Sequence, residues 1–331
     1  MEYLGHLPQN DSLFEYLRYE IMPQTGADCR CGVRVFGCHS SHTVYIYEDR
    51  ATSARVVGKF FAGNGGDWSR AERKMYREYD NINEFRQYLG KSHYAARALG
   101  CNKNLSCLLV TEYCYGETLD SVIMRALNKH EEKYLYDKLS ALGNFLATVH
   151  NKSARAIMVD FQKVCNYFCN VVNQLGDLLS GADREYLYKL CRRYRCDFVM
   201  YQDQEVLVHG DATPANFFFG DGDYVITFDL ERMQRTDRMF DVGRVAGELK
   251  HYFLRHTNNK YASEPFIGHF LYEYCGNFPD RMSAFESITA RLPFYMGLNL
   301  LRISRNSYLP WSYRKSLIEE AKIILYRQGA K

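Results

Sequence analysis

The stretch VLVHGDATPANFFFGDGDYVITFDLE, residues 206–231, decides how the chain is read. Its middle is written as a hairpin. NFFF and YVITF have strand character, and the Gly-Asp-Gly-Asp between them supplies the Asp-Gly pair that tight turns favour. Asn216 opens the first strand and Asp229 stands just past the end of the second. Antiparallel partners run roughly 4.8 Å apart, so such a hairpin gathers an amide oxygen and a carboxylate at one point, a donor set suited to Mg2+. Asp211 lies five residues before Asn216, in a turn shaped by Gly210 and Pro214. A carboxylate beside a metal-bound triphosphate can orient an attacking hydroxyl and accept its proton.

Upstream, a helix opens at Ser12, with Glu15 completing a capping box, and ends near Pro23. Three strand-like runs follow, GVRVF (32–36), TVYIYE (43–48) and ARVVGKFF (54–61), joined by short polar connections that suit antiparallel hairpins. A second capping-box spacing, Ser69 with Glu72, starts a helix running to about Leu89; SCLLVTEYC (106–114) reads as a strand leading to a connector near 112–116. From Glu131 to His150, Leu135, Leu139, Leu142, Leu146 and Val149 form one apolar helical stripe. Helices continue through 155–195 around a turn at SGAD (180–183), and again after Tyr252 with interruptions at Pro265, Pro279, Pro293 and Pro310. This order predicts an α+β chain: residues 1–114 as a small antiparallel-sheet lobe with one helix, residues 115–331 as a larger, mostly helical lobe, and a ligand cleft between them.

Composition narrows the partners. With 42 basic and 39 acidic residues the formal charge is +3, too balanced for a nucleic-acid or membrane-surface protein. Eleven scattered cysteines lack paired zinc-site spacing and read as reduced thiols, mostly buried, in a cytoplasmic protein. The N-terminus has neither the basic start nor the apolar stretch of a signal peptide, and no apolar run is long enough to span a bilayer.

The motif H-G-D-x-x-x-x-N at 209–216, followed by I-T-F-D-L-E at 226–231, resembles the signature of the aminoglycoside phosphotransferase and choline kinase family, which is similar in fold to protein kinases. The resemblance implies a bilobal protein-kinase-like fold and transfer of the γ-phosphate of ATP, with Mg2+, to a hydroxyl. It implies that Asp211 is the catalytic aspartate, that Asn216 and Asp229 hold the metal, and that Asp241, in TDRMFDVGRVAGEL (236–249), braces the loop. His209 is then a packed histidine supporting that loop. Glu231 either approaches the metal or orders the loop. Lys59, in VVGKFF on the third strand, would meet the nucleotide phosphates. Glu78 is preferred as its carboxylate partner over Glu72, which has a competing role as a helix cap. Glu112, Tyr113 and Cys114, in LLVTEYCYGETL (108–119), would meet the adenine through their main chain. The loop Gly37–Thr43 stands where kinases cover the phosphates, although it carries one glycine; GNGG (63–66) reads as a turn entering a helix.

Only eleven residues separate Asp229 from Asp241, which leaves no room for a long activation segment, and Gly210 replaces the arginine of eukaryotic protein kinases. Both features favour a small hydroxyl acceptor: a sugar, an amino alcohol or an antibiotic-like molecule. Residues 255–331 hold eleven basic against six acidic side chains, which speaks against a polycationic acceptor and towards a neutral or anionic one. The aromatics Phe294, Tyr295 and Trp311 suit the lining of a sugar or amine pocket, but read as core before they read as a pocket. The alternatives are a Ser/Thr protein kinase of the same superfamily and a nucleotide-binding pseudokinase scaffold. The sequence identifies neither the acceptor nor the oligomeric state.

Overall fold

The structure, a computed structural model, describes residues 1–38, 43–63, 66–90 and 92–326. Most of the Gly37–Thr43 loop, and Asn64 and Gly65 of GNGG, lie outside the described residues. The chain divides into two compact units: Met1–Gln87 with Tyr94–Gly116 and Ile226–Glu231, and Tyr88–His93 with Glu117–Val225 and Arg232–Lys331.

The first unit contains β1 (Glu2–His6), α1 (Ser12–Tyr16), β2 (Val33–Cys38), β3 (Thr43–Asp49), β4 (Arg55–Phe60) and α2 (Trp68–Arg86). After β5 (His93–Ala95) come β6 (Ala98–Asn102) and β7 (Leu108–Glu112). An antiparallel sheet runs β1-β2-β3-β4-β7-β6. Alternation along β4 sorts its two faces. Val56 joins the core with Phe14, Leu17, Ile21, Leu108 and Val110; Lys59, on the opposite parity, faces α2 and bonds Glu78.

The expected strands and helices sit within a few residues of their predicted bounds, but both caps differ. Asp11, not Ser12, caps α1 by accepting from Leu13 N–H at 2.8 Å. Asp67, not Ser69, caps α2 by accepting from Arg70 N–H at 3.1 Å. In both cases an aspartate one or two residues earlier does the work of the expected serine. β1 was not expected, because it is mostly exposed and lacks an alternating apolar pattern.

The second unit contains β8 (Glu117–Thr118), α3 (Leu119–Lys129), α4 (Glu132–Ser153), α5 (Phe161–Gln174), α6 (Gly181–Arg195), β9 (Val206–Val208) and β10 (Phe217–Phe219). Next are β11 (Val225–Thr227), at whose first residue this segment of the unit ends, β12 (Gln234–Thr236), α7 (Met239–Thr257), α8 (Glu264–Cys275), α9 (Arg281–Ile303) and α10 (Trp311–Tyr326). The apolar stripe of α4 is fully buried. The Gly-Asp-Gly-Asp turn closes with Gly220 N–H on the Tyr224 carbonyl at 3.1 Å. Lys138 of α4 fastens it, donating to the carbonyls of Gly220 and Gly222 at 3.0 and 2.7 Å.

SGAD is a helix start and not a free turn: Ser180 caps α6, with Asp183 completing the capping box. Pro293 does not interrupt α9 but lies inside it. Burial of Phe294, Tyr295 and Leu298 around it outweighs the one backbone hydrogen bond a proline forfeits. α9 also comes unusually close to α7. A Cβ on Gly243 would lie 2.3 Å from the Cβ of Tyr295, so only glycine permits this approach. A polar cluster ties α9 to the segments that precede α7 and β9: Arg291 donates to Asp237 at 3.0 and 3.1 Å and to Asp203 at 2.6 Å, and the Tyr295 hydroxyl to Asp237 at 2.7 Å. All eleven cysteines are free, but only five are buried, fewer than expected. Among the described residues, no helix is long and apolar enough to cross a membrane.

Candidate functional site

In the first unit, Lys59 of β4 gathers three carboxylates. Its Nζ lies 2.8 Å from Glu78 Oε2 on α2, 2.8 Å from Asp229 Oδ1 and 3.3 Å from Glu231 Oε2. Glu72 is engaged elsewhere, with Lys103 at 3.5 Å. α2 also holds the backbone that carries the acids: Asn81 Nδ2 donates to the Leu230 carbonyl at 2.8 Å and Arg77 Nη2 to that of Glu231 at 2.9 Å. Asp229 itself has φ 59, the left-handed region that aspartate enters more readily than most residues.

Burial works against the Lys59 charge, but Glu78 and Asp229 outweigh it and raise its pKa above the ordinary lysine range. Burial pushes the Glu78 carboxyl up; Lys59 pulls it back, Asp229 and Glu231 add to the rise, and it stands at about 7. Oxygens of Glu78, Asp229 and Glu231 all lie within 4.8 Å of one another. Three carboxylates around one ammonium leave an excess of negative charge built from hard oxygen donors, which fits a Mg2+ ion.

Glu112 ends β7, its N–H on the Arg97 carbonyl at 3.0 Å and its Oε1 accepting from Arg97 N–H at 2.7 Å. The Tyr113 ring lies under the Arg55 guanidinium, 5.4 Å from its centroid, and meets Tyr115 edge-on. Burial pushes the Cys114 thiol up to about 12, so it stays protonated.

In the second unit, pairing of β9 with β12 sets the start of the 209–216 loop. Asp241, fully buried in the first turn of α7, accepts from His209 N–H at 2.7 Å and from Gly210 N–H at 3.0 Å. Burial lowers the pKa of His150, so its ring is neutral; Nε2–H donates to Asp241 at 3.2 Å and Nδ1 accepts from the Tyr274 hydroxyl at 2.8 Å. His209 is buried against Phe217, and its Nδ1 accepts from Asp211 N–H at 3.2 Å. Asn216 Nδ2 donates to the Asp211 carbonyl at 2.9 Å. The loop is therefore tied at both ends and across its middle.

Three residues that sequence reasoning missed surround the Asp211 side chain. Arg244 Nη1 and Arg302 Nη2 meet Oδ1 at 2.8 and 2.6 Å, and Arg232 Nε stands 3.7 Å from Oδ2. Arg244 also donates to the Gly210 carbonyl. Burial raises the Asp211 carboxyl, but the three guanidinium groups outweigh it and hold it below the usual carboxylate range. Arg244 had a signal: it follows Asp241 by one helical turn, on the same face of α7. Arg302 had none, since it arrives from α9, ninety-one residues along the chain.

Beside the loop is a cavity of about 500 Å3. Thr213–Ala215 form one wall; α7 and the segment 302–308, including Arg302, form the others. His251, buried in this wall, has its pKa lowered to about 4 by burial and by nearby Arg255 and His256. Its folded-state pKa lies below the unfolded value of 6.5, so unfolding takes up a proton as pH falls below about 6.5. Stability should accordingly drop by about 2 kcal/mol from this group between pH 7 and pH 5. Urea unfolding at the two pH values tests this: wild type should lose more than His251→Gln, and equal losses would refute it.

A model of the phosphotransferase enzyme family matches residues 37–274. No curated protein matches the chain. Similar solved structures include the GDP complex of wild-type aminoglycoside 2'-phosphotransferase-IIIa, with TM-score 0.57 and 15% identity over 95% of this chain and 99% of that one. Ethanolamine kinase Pv091845 of Plasmodium vivax gives 0.56 and 14%, covering 98% and 90%. Macrolide 2'-phosphotransferase MphH from Brachybacterium faecium gives 0.53 and 13%, covering 93% and 97%. At these identities the likeness is one of fold, the α+β protein-kinase-like fold.

Proposed function

Since the chain belongs to the phosphotransferase enzyme family, and is thereby an ATP-dependent phosphotransferase with an alcohol group as acceptor, we propose that it moves the γ-phosphate to a hydroxyl of a small molecule. The observation that carries the reading is the Lys59 cluster: one ammonium, two carboxylates at 2.8 Å and a third at 3.3 Å, an arrangement able to receive a metal-bound triphosphate.

In this reading Lys59, fixed by Glu78, steadies the nucleotide phosphates. Asp229 and Asn216 would hold Mg2+, with Glu231 adding negative charge to the same site. The ion, when bound, offsets the charge of the triphosphate. The backbone at Glu112, Tyr113 and Cys114 receives the adenine. Asp211 orients the acceptor hydroxyl, whose oxygen bonds to the γ-phosphorus as the bond to the bridging oxygen of departing ADP breaks. The hydroxyl proton passes to Asp211 or onward to solvent. His209 and Asp241 keep the loop in shape, supported by the two N–H bonds to the Asp241 carboxylate. Such transfer relies on positioning and charge, and an aspartate held ionised by arginines suits that role.

The test is incubation of the full chain with ATP, Mg2+ and a panel of sugars, amino alcohols, nucleosides, hydroxy acids and antibiotics. Acceptor-dependent ADP release is expected, with a product heavier by one phosphate group and with loss of activity on chelation of Mg2+. Failure to bind ADP would end the reading. Labelled phosphate appearing on cell proteins instead would favour a protein kinase.

A further inference from the structure

The cavity beside the 209–216 loop has a chemistry of its own. Its walls include Arg232, Arg255, Arg302 and Arg305, against Glu248 as the acidic side chain. Asp211 adds a second carboxylate next to it, but Arg244 comes with it, so five guanidinium groups stand against two carboxyls. Glu248 is itself buried, held by Asn299 Nδ2 at 3.3 Å, and burial raises its pKa, which weakens its hold on a positive charge. His251 in the same wall is neutral at ordinary pH.

Arg232, Arg244 and Arg302 are engaged by Asp211, but Arg255 and Arg305 meet no carboxylate among the described residues. Arg255 is exposed and forms no ion pair among the described residues. Arg305 is half-buried and its partners are neutral: the Gln174 amide oxygen, the Arg302 carbonyl at 3.2 Å and the Tyr167 hydroxyl. The cavity also reaches the reacting end of the loop: Thr213 lies two residues beyond Asp211, and Arg302 both lines the cavity and bonds Asp211 Oδ1 at 2.6 Å. A cationic acceptor here would be repelled by the arginines, whereas an anionic one would complete their coordination.

Resting on the phosphotransferase reading above, we propose that the acceptor is an anionic hydroxyl compound, bearing a carboxylate or a phosphate apart from the hydroxyl that is phosphorylated, with Arg255 and Arg305 receiving the anion and Asp211 the hydroxyl. A guanidinium suits both groups because its planar donors match their oxygens. The volume, about 500 Å3, accommodates a compound of sugar-phosphate or hydroxy-acid size.

The experiment uses the full chain with its nucleotide site filled by ADP and Mg2+, at constant ionic strength. Matched probes are titrated by thermal shift and calorimetry: glycerate against glycerol, glucose 6-phosphate against glucose, inorganic phosphate alone, and kanamycin as a polycation. At least one anionic member should bind roughly tenfold more tightly than its neutral partner, and Arg255→Gln or Arg305→Gln should weaken that binding by about tenfold. The glycerate and glucose 6-phosphate arms separate a carboxylate preference from a phosphate preference. The proposal is overturned if kanamycin or the neutral partners bind as well as the anions, if no anion binds, or if both variants leave anion affinity unchanged. Competition between ADP and the anion would also overturn it, by assigning these arginines to the nucleotide. ADP binding measured alone is a separate arm: its absence removes the phosphotransferase reading, and the anion titrations can then be repeated without nucleotide.

Discussion

Asp211→Asn is expected to lower kcat by about a thousandfold, within the range associated with losing a positioned acid–base group. ADP affinity should stay close to that of wild type, because the Lys59 cluster is untouched. A second effect follows from the arginines. The asparagine leaves Arg244, almost fully buried, and Arg302 without the charge they share at 2.8 and 2.6 Å. Removing one member of such a buried pair typically costs about 3–5 kcal/mol, so the melting temperature should fall as well. Activity must therefore be normalised to folded protein, and Asp211→Glu, which keeps the charge, serves as the companion variant: it should recover stability without recovering rate. The pH dependence adds a third check. Asp211 has a lowered pKa and stays ionised through the neutral and mildly acidic range, so it should contribute no acid limb to kcat/KM above its unperturbed value of 3.8. A rate within tenfold of wild type in the folded Asp211→Asn protein would remove this residue from the transfer step.

Gly210→Ala should be among the most destabilising single-methyl additions in the chain. The residue has φ 78, and a Cβ there would lie 2.0 Å from the Arg232 carbonyl oxygen. The left-handed backbone alone costs an alanine roughly 1–2 kcal/mol. The clash costs more, because it is with main chain and cannot be relieved by turning a side chain. A total of about 4 kcal/mol or more is expected, read as a fall in the urea midpoint. The loop cannot shift freely to accommodate the methyl, since Gly210 N–H is bound to Asp241 at 3.0 Å and its carbonyl to Arg244. A loss under about 1 kcal/mol would mean the loop is softer than these bonds imply. The same geometry gives a reason why Gly210 replaces the arginine of eukaryotic protein kinases: no side chain fits at this position.

What the sequence made legible was local. The strands β2 to β4 carry alternating apolar residues, α4 carries its stripe, Lys59 stands out by element order, and Glu78 by its resemblance to the family position. The Asp241 hydrogen bonds lie within reach of a motif reading, because the aspartate and the loop it braces are both short-range features of their segments. Cap positions were misplaced by one or two residues because aspartate and serine compete for the same role over adjacent positions, as at Asp11 and Asp67. β1 was invisible since an exposed edge strand owes its existence to its partner β2 and not to its own pattern. Pro293 reads as a break because propensity is local, while α9 is held by packing. Arg302 and the arginine-lined cavity were out of reach altogether. They arise where α7, the 209–216 loop and the end of α9 converge, and no window of sequence contains all three.

The missing side chain at Gly243 bears on how such a protein can diverge. Because the backbone of Tyr295 presses directly on that position, the spacing of α7 and α9 is fixed by a residue outside the lining of the arginine-rich cavity. Descendants that widened this spacing would carry Arg302 away from its aspartate at the same stroke. Change in what the enzyme accepts is thus channelled away from the helix bodies and into the short segments at their ends, around Arg255 and around 304–308. Lineages of this kind should conserve the helix pair while their terminal segments drift, and a library diversified only at those ends should retain folding while it explores new acceptors.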